Sequence, residues 1–218
     1  MSLESGSIRK VLRRTIPVEV RSYLTQGGPT GIDQATWDRE YAAGEWAKLG
    51  KLDEMPRYAL VAGYSRTIGS NASVLDVGCG EGHLANWLFQ DGKRRYVGID
   101  LSSVAIQQAR ARVSTEARFE VADATTFDPG DRFDIIVLNE VLYYMDQPEQ
   151  VVERYEDFLN PGGVFIISMF RVPEALRAWR RFAFRLEVLD KVWLRGFSGT
   201  EWNVWLCRPR QRQAGSTQ

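Results

Sequence analysis

Short apolar runs that end in glycine or an acid alternate along the chain with stretches whose apolar residues recur at helical spacing, which predicts strands separated by helices. Residues 72–77 are apolar and partly β-branched. Gly78, Gly80 and Gly82 follow at alternate positions, and Leu84, Trp87 and Leu88 then recur every three or four residues. The expectation is a buried strand, a tight turn and a helix. The theme repeats in apolar runs at 96–100, 119–124, 133–138 and 164–169. Between them, one helix is expected from Ser102 or Ser103 through Ile106, Ala109 and Val113. Another runs from Pro148 through Val151, Val152, Tyr155 and Leu159, stopped by the turn at 160–163. A helix over 173–182, a bent sixth strand over 185–189 and 191–194, and an alternating seventh over 201–207 complete the pattern.

Two helices are expected before the first strand. One starts at Asp33, continues through Trp46 and Leu49, and gathers Trp37, Tyr41 and Ala42 on one side. The other covers about 52–68, with Tyr58, Leu60, Val61 and Tyr64 packing and Arg57 as a surface arginine or a ligand-pairing one. Ahead of these, residues 7–24 carry Arg9, Lys10, Arg13, Arg14 and Arg21 among aliphatics, a basic amphipathic arm broken by Pro17 and suited to an anionic surface or to solvent. The expected organisation is a basic arm and linker at 1–31, a helical lid or extension at 32–70, the principal domain at 71–208 and a polar tail at 209–218.

Candidate chemistry centres on the glycine turn. Its bare backbone lets a ligand come close and offers amides at a helix N-terminus. Dinucleotide enzymes use similar spacing, but His83 stands at their third glycine, and no Gly-Lys-Ser/Thr follows as in phosphate-binding loops. Asp100 ends the second strand roughly 20 residues on, where a carboxylate accepts ribose hydroxyls. Asp123, at the end of the third strand, suits an adenine amino group, and Asp76 makes that end of the turn fit a cation better than a pyrophosphate.

Composition narrows the classes. With 218 residues, 44% of them apolar, the chain can build one domain with extensions. Its 28 basic and 28 acidic residues balance, which disfavours nucleic acid as partner. No apolar run nears the roughly 20 residues of a membrane span, so a soluble cytoplasmic protein is expected. Two distant cysteines and a single histidine make no metal-ligand pattern. His83 is expected beside the ligand in a structural role, and Cys79 as a small loop residue.

In order, residues 76–82, 98–100, 122–124 and 159–163 resemble the motifs of class I S-adenosylmethionine-dependent methyltransferases. The resemblance implies an α/β Rossmann-like, seven-stranded mixed sheet with helices on both faces, an antiparallel last strand and an N-terminal helical extension. It implies S-adenosylmethionine as cofactor, with Asp76, Gly78, Cys79, Gly80 and Gly82 at its methionine end and Arg57 available to its carboxylate. Asp100 would take the ribose and Asp123 and Ala124 the adenine, Leu101 would also contact the cofactor, and Asn139 would stand near the methyl group.

Residues 139–145 resemble the same segment of small-molecule methyltransferases, especially nodulation-type enzymes that N-methylate chito-oligosaccharides. Glu140, Tyr143 and Tyr144 are therefore the candidate catalytic residues, and Trp37 and Tyr41 the candidate lid. Many relatives carry Glu-His where this chain has Tyr143 and Tyr144, so no histidine base carries over. The expected reaction is methyl transfer to an oxygen or nitrogen of a small molecule, with a saccharide favoured. The alternatives are aminopropyl transfer in the same pocket and a non-catalytic binding module that recruits a partner.

Overall fold

A computed structural model describes residues 32–89, 95–113 and 117–210. The basic arm, its linker and the tail from 211 onward lie outside the described residues.

Seven strands form one sheet: β1 (Val74–Val77), β2 (Tyr96–Asp100), β3 (Arg118–Val121), β4 (Phe133–Asn139), β5 (Leu159–Phe170), β6 (Leu186–Arg195) and β7 (Glu201–Pro209). Their order is β3-β2-β1-β4-β5-β7-β6. The first five are parallel, and β7 runs antiparallel between β5 and β6. The helices are α1 (Gln34–Ala42), α2 (Met55–Ile68), α3 (His83–Leu88), α4 (Ser103–Arg112), α5 (Pro148–Glu156) and α6 (Pro173–Phe182).

The central strands read as continuous Val, Ile and Leu runs because helices cover both faces. Successive residues divide between two cores. Ile135 and Val137 pack with Val61 of α2, Leu84 of α3 and Ile106 of α4. Ile136 and Leu138 pack with Val152 of α5, Phe182 of α6 and Tyr41 of α1. Strand order reverses at β1, between β2 and β4, so a crevice opens at the C-terminal ends of these strands, where open parallel sheets bind ligands.

Several expectations need correcting. The first helix stops at Ala42 instead of continuing through Trp46 and Leu49, because the chain turns at Gly44 with φ 73°. Trp46 is nevertheless buried and Leu49 comes from a 3-10 turn, Ala47–Gly50, whereas Ala42 is exposed. Strand β7 takes in Pro209, which was assigned to the tail. The bend in β6 is real: its register against β7 shifts between Val188 and Asp190.

Candidate active site

The glycine turn leaves β1 at Gly78, whose φ of 75° favours a residue without Cβ. A Cβ there would stand 2.7 Å from Cγ2 of Val141. The Gly78 and Cys79 amides donate to the Ile99 carbonyl at 2.8 and 2.9 Å, which pins the turn to β2. Gly80 has no room either, since its Cβ would come within 3.0 Å of the Tyr41 hydroxyl. Gly82 serves a different purpose from the one expected. It does not line the cavity but packs on α4, where a Cβ would meet Ala109 at 3.1 Å and Val113 at 3.3 Å.

Beside this turn lies a cavity of about 720 Å³. Except for Gly82, every residue singled out from sequence lines it: Trp37, Tyr41, Arg57, Asp76, Gly78, Cys79, Gly80, Asp100, Leu101, Asp123, Ala124, Asn139, Glu140, Tyr143 and Tyr144. His83 lines it too.

At its inner end, Asp76 is 1% exposed and accepts from the Tyr96 hydroxyl at 2.7 Å through Oδ2, while Oδ1 has no partner. Burial pushes this carboxyl up to about 7, against the pull of Tyr96. Asp100 accepts from the Gly80 and Ser102 amides, both at 2.9 Å. Burial outweighs those bonds and raises it to about 6. Asp123 is exposed at the rim. Its Oδ1 accepts from the Thr125 amide at 2.8 Å and the Thr125 hydroxyl at 2.7 Å, forming an Asx turn.

Arg57 is not a surface arginine: it is 1% exposed. Nη2 pairs with Glu54 at 2.7 Å, Nη1 donates to Oδ1 of Asn139, and the guanidinium lies over the Tyr58 ring, 4.6 Å from its centroid. Nε has no partner. A buried guanidinium so held is a fixed cationic fork at the cavity wall.

The wall after β4 is strained. Glu140 has φ 62°, the one positive value among described non-glycine residues. Its carboxylate accepts from the Tyr143 hydroxyl at 2.8 Å, the Phe170 amide at 3.1 Å and the Ser168 hydroxyl. Burial raises its pKa, opposed by nearby Arg57 and by the Ser168 and Tyr143 bonds. Both carboxylate oxygens are thus engaged in holding β5 and the turn Leu142–Tyr144. Tyr144 packs on Tyr143, with ring centroids 4.5 Å apart, and meets Trp37 edge-on at 5.2 Å. Trp37 in turn lies 5.4 Å from Trp46, so α1 and its following turn cover one side of the cavity with aromatic rings.

His83 sits 3.2 Å from Glu81, which also pairs with Arg112 at 2.7 Å. Cys79 is buried and burial pushes its thiol well up, so it stays protonated and non-nucleophilic. Sequence reasoning missed Glu54, Tyr96 and Ser168 as partners of site residues. Ser168 carries no motif; only the register that sets Asn139 against it reveals its place.

Residues 68–201 match a family described as a methyltransferase domain. Trans-aconitate 2-methyltransferase of Variovorax paradoxus is 38% identical over 102 residues, which cover 45% of this chain and 38% of that protein. Nodulation protein S of Rhizobium tropici is 31% identical over 157 residues, covering 69% of this chain and 66% of that one. The chain thus spans less than two thirds of the length of either relative. The crystal structure of the N-methyltransferase NodS from Bradyrhizobium japonicum WM9, in complex with S-adenosyl-L-homocysteine, superposes with a TM-score of 0.70 at 22% identity. The match covers 82% of this chain and 98% of that one, a likeness of fold.

Proposed function

Because this chain belongs to the methyltransferase-domain family, we propose that it transfers the methyl group of S-adenosylmethionine to an oxygen or nitrogen of a small molecule, with a saccharide ahead of other natural products. The observation that carries the cofactor assignment is a pair of buried side-chain atoms without partners, Oδ1 of Asp76 and Nε of Arg57, on two residues that line the cavity. One is an acceptor and the other a donor, and each leaves a buried group incomplete. The amino-acid end of S-adenosylmethionine carries an ammonium and a carboxylate, which match the Asp76 carboxylate and the Arg57 guanidinium in charge. The glycine turn supplies the close backbone approach, Asp100 the two acceptor oxygens for a ribose, and Leu101, Asp123 and Ala124 the edge against which adenine would lie.

Bound there, the cofactor supplies a sulfonium-activated methyl group, so the chain's own task is to align the acceptor and exclude water. Asn139 and Glu140 close the end of β4. Tyr143, Tyr144, Trp37 and Tyr41 give the acceptor side flat apolar faces with polar edges, of the kind on which sugar rings and aromatic scaffolds stack. Glu140 acts on the acceptor chiefly by holding Tyr143 and the β5 end in place. The resemblance of residues 139–145 to amino-sugar-modifying enzymes and this aromatic wall together favour a saccharide. The cytoplasm is the proposed site of action, in keeping with two free cysteines, both buried.

The test is S-adenosylhomocysteine formation from S-adenosylmethionine over panels of amino sugars, neutral sugars, phenols and carboxylic acids. Turnover on the sugar panels supports the reading; turnover confined to phenols or acids would replace the saccharide with that class.

A further inference from the structure

Asp38 was not among the residues singled out from sequence, yet it reaches across from α1 to the first turn of α4. Its Oδ1 accepts from the Ser102 hydroxyl at 2.7 Å and lies 3.3 Å from the Val104 amide, and its Oδ2 accepts from the Ser103 hydroxyl at 3.1 Å. A carboxylate suits this place, since a helix N-terminus presents amide hydrogens and a partial positive charge.

Capping alone does not account for Asp38. Helix α4 already has its own N-cap, because the Ser102 hydroxyl accepts from the Ala105 amide at 3.1 Å. Asp38 is a second anchor, contributed by a different part of the chain. Ser102 is fully buried and faces two ways. Its hydroxyl donates to Asp38, and its amide donates to Oδ1 of Asp100, whose other oxygen holds the Gly80 amide. One residue therefore joins the lid helix to the carboxylate assigned to the ribose. A second contact on the same face of α1 reinforces the link, because Tyr41, three residues after Asp38, sets its hydroxyl against Gly80.

We propose that Asp38 is a positioning residue that latches α1 over the cavity through Ser102, so that closure of the aromatic lid and the grip of Asp100 on the cofactor are coupled. The proposal rests on the cofactor assignment above and goes beyond it by naming what holds the lid. A ligand that engages Asp100 fixes the Ser102 backbone and with it the seat of Asp38. Conversely, a seated Asp38 keeps Trp37 and Tyr41 over the bound molecule and slows its escape.

The probe is S-adenosylhomocysteine. Its dissociation is followed by stopped-flow tryptophan fluorescence for the wild type, Asp38→Ala, Asp38→Asn, Ser102→Ala and the double variant Asp38→Ala/Ser102→Ala. Hydrogen exchange over residues 34–42 is measured with and without the ligand. Loss of a charge-assisted bond of this kind is expected to speed release about tenfold in Asp38→Ala. Asp38→Asn should fall between it and the wild type, and the double variant should release no faster than the faster single one, as two ends of one link require. Exchange in α1 should rise in Asp38→Ala, and ligand should no longer suppress it.

A role confined to stabilising α4 predicts a lower melting temperature with unchanged release and unchanged α1 exchange, and that result overturns the latch. Additive effects of the two substitutions on release overturn the coupling through Ser102. Failure of the wild type to bind S-adenosylhomocysteine at all would instead remove the cofactor assignment, and the coupling with it.

Discussion

The hydroxyl of Tyr96 on β2 donates to Oδ2 of Asp76 on β1 at 2.7 Å, and the other oxygen of the same carboxylate is buried without a hydrogen-bond partner. Tyr96 orients Asp76 without satisfying it, and burial keeps the carboxyl near 7. Cofactor affinity should therefore depend on pH. An ammonium group binds the ionised carboxylate, so S-adenosylhomocysteine should bind more tightly as pH rises through about 7 and level off above it. Calorimetry across that range checks this. Asp76→Asn should bind weakly with no such rise, and Tyr96→Phe, lacking a bond that favours the anion, should move the rise to higher pH.

The same carboxyl predicts the sign of a stability change. Its folded value of about 7 lies above the ordinary 3.8, so the native chain keeps a proton that the unfolded chain sheds. Asp100, at about 6, adds to this. The contribution of these two groups to ligand-free stability should fall as pH rises from about 4 to about 7. Urea denaturation of the wild type against Asp76→Asn reads it: the gap should turn in favour of the asparagine variant as pH rises.

Gly78 and Gly44 share a positive φ but differ in surroundings. Alanine at Gly78 puts a methyl group 2.7 Å from Val141, while alanine at Gly44 meets nothing within 4 Å. Gly44→Ala should lose about 1 kcal/mol from backbone strain alone, and Gly78→Ala about 2–4 kcal/mol together with cofactor binding. Equal losses in denaturant titrations would mean that the approach of Val141 to the turn is not close.

Glu140 keeps its left-handed backbone because three donors converge on its carboxylate. Glu140→Gln retains the shape and part of the bonding, and should cost roughly 1–2 kcal/mol; Glu140→Ala strands the donors and should cost about 3 kcal/mol. Turnover should drop in both while affinity for S-adenosylhomocysteine stays within about threefold. A glutamine variant with full stability and no turnover would make Glu140 a proton acceptor instead of a support.

The parts of this molecule visible in its sequence are those set by local pattern. The Val- and Ile-rich runs, the alternate glycines after Val77, the acid within β1 and the one closing β2 announce the sheet and its crevice, because burial on both faces and tight turns each restrict the residues that fit. Residues whose roles depend on distant partners were not visible. Arg57 stood open between a surface and a ligand-pairing role because its partner Asn139 lies far along the chain; only folding brings α2 to the end of β4. Gly82 belonged to the ligand-binding spacing, yet its neighbour is Ala109 of α4. Ser102 read as a helix cap and Asp38 carried no signal at all, and no periodicity relates one to the other.

The central claim is that this cavity holds S-adenosylmethionine with Asp100 on its ribose. Calorimetric titration of the wild type and of Asp100→Ala with S-adenosylmethionine and S-adenosylhomocysteine tests it most directly. The account predicts one site per chain for both ligands in the wild type, weakened about a hundredfold in Asp100→Ala, which loses the ribose acceptor and frees the Gly80 and Ser102 amides. No heat of binding in the wild type, or equal affinity in the two proteins, would contradict it.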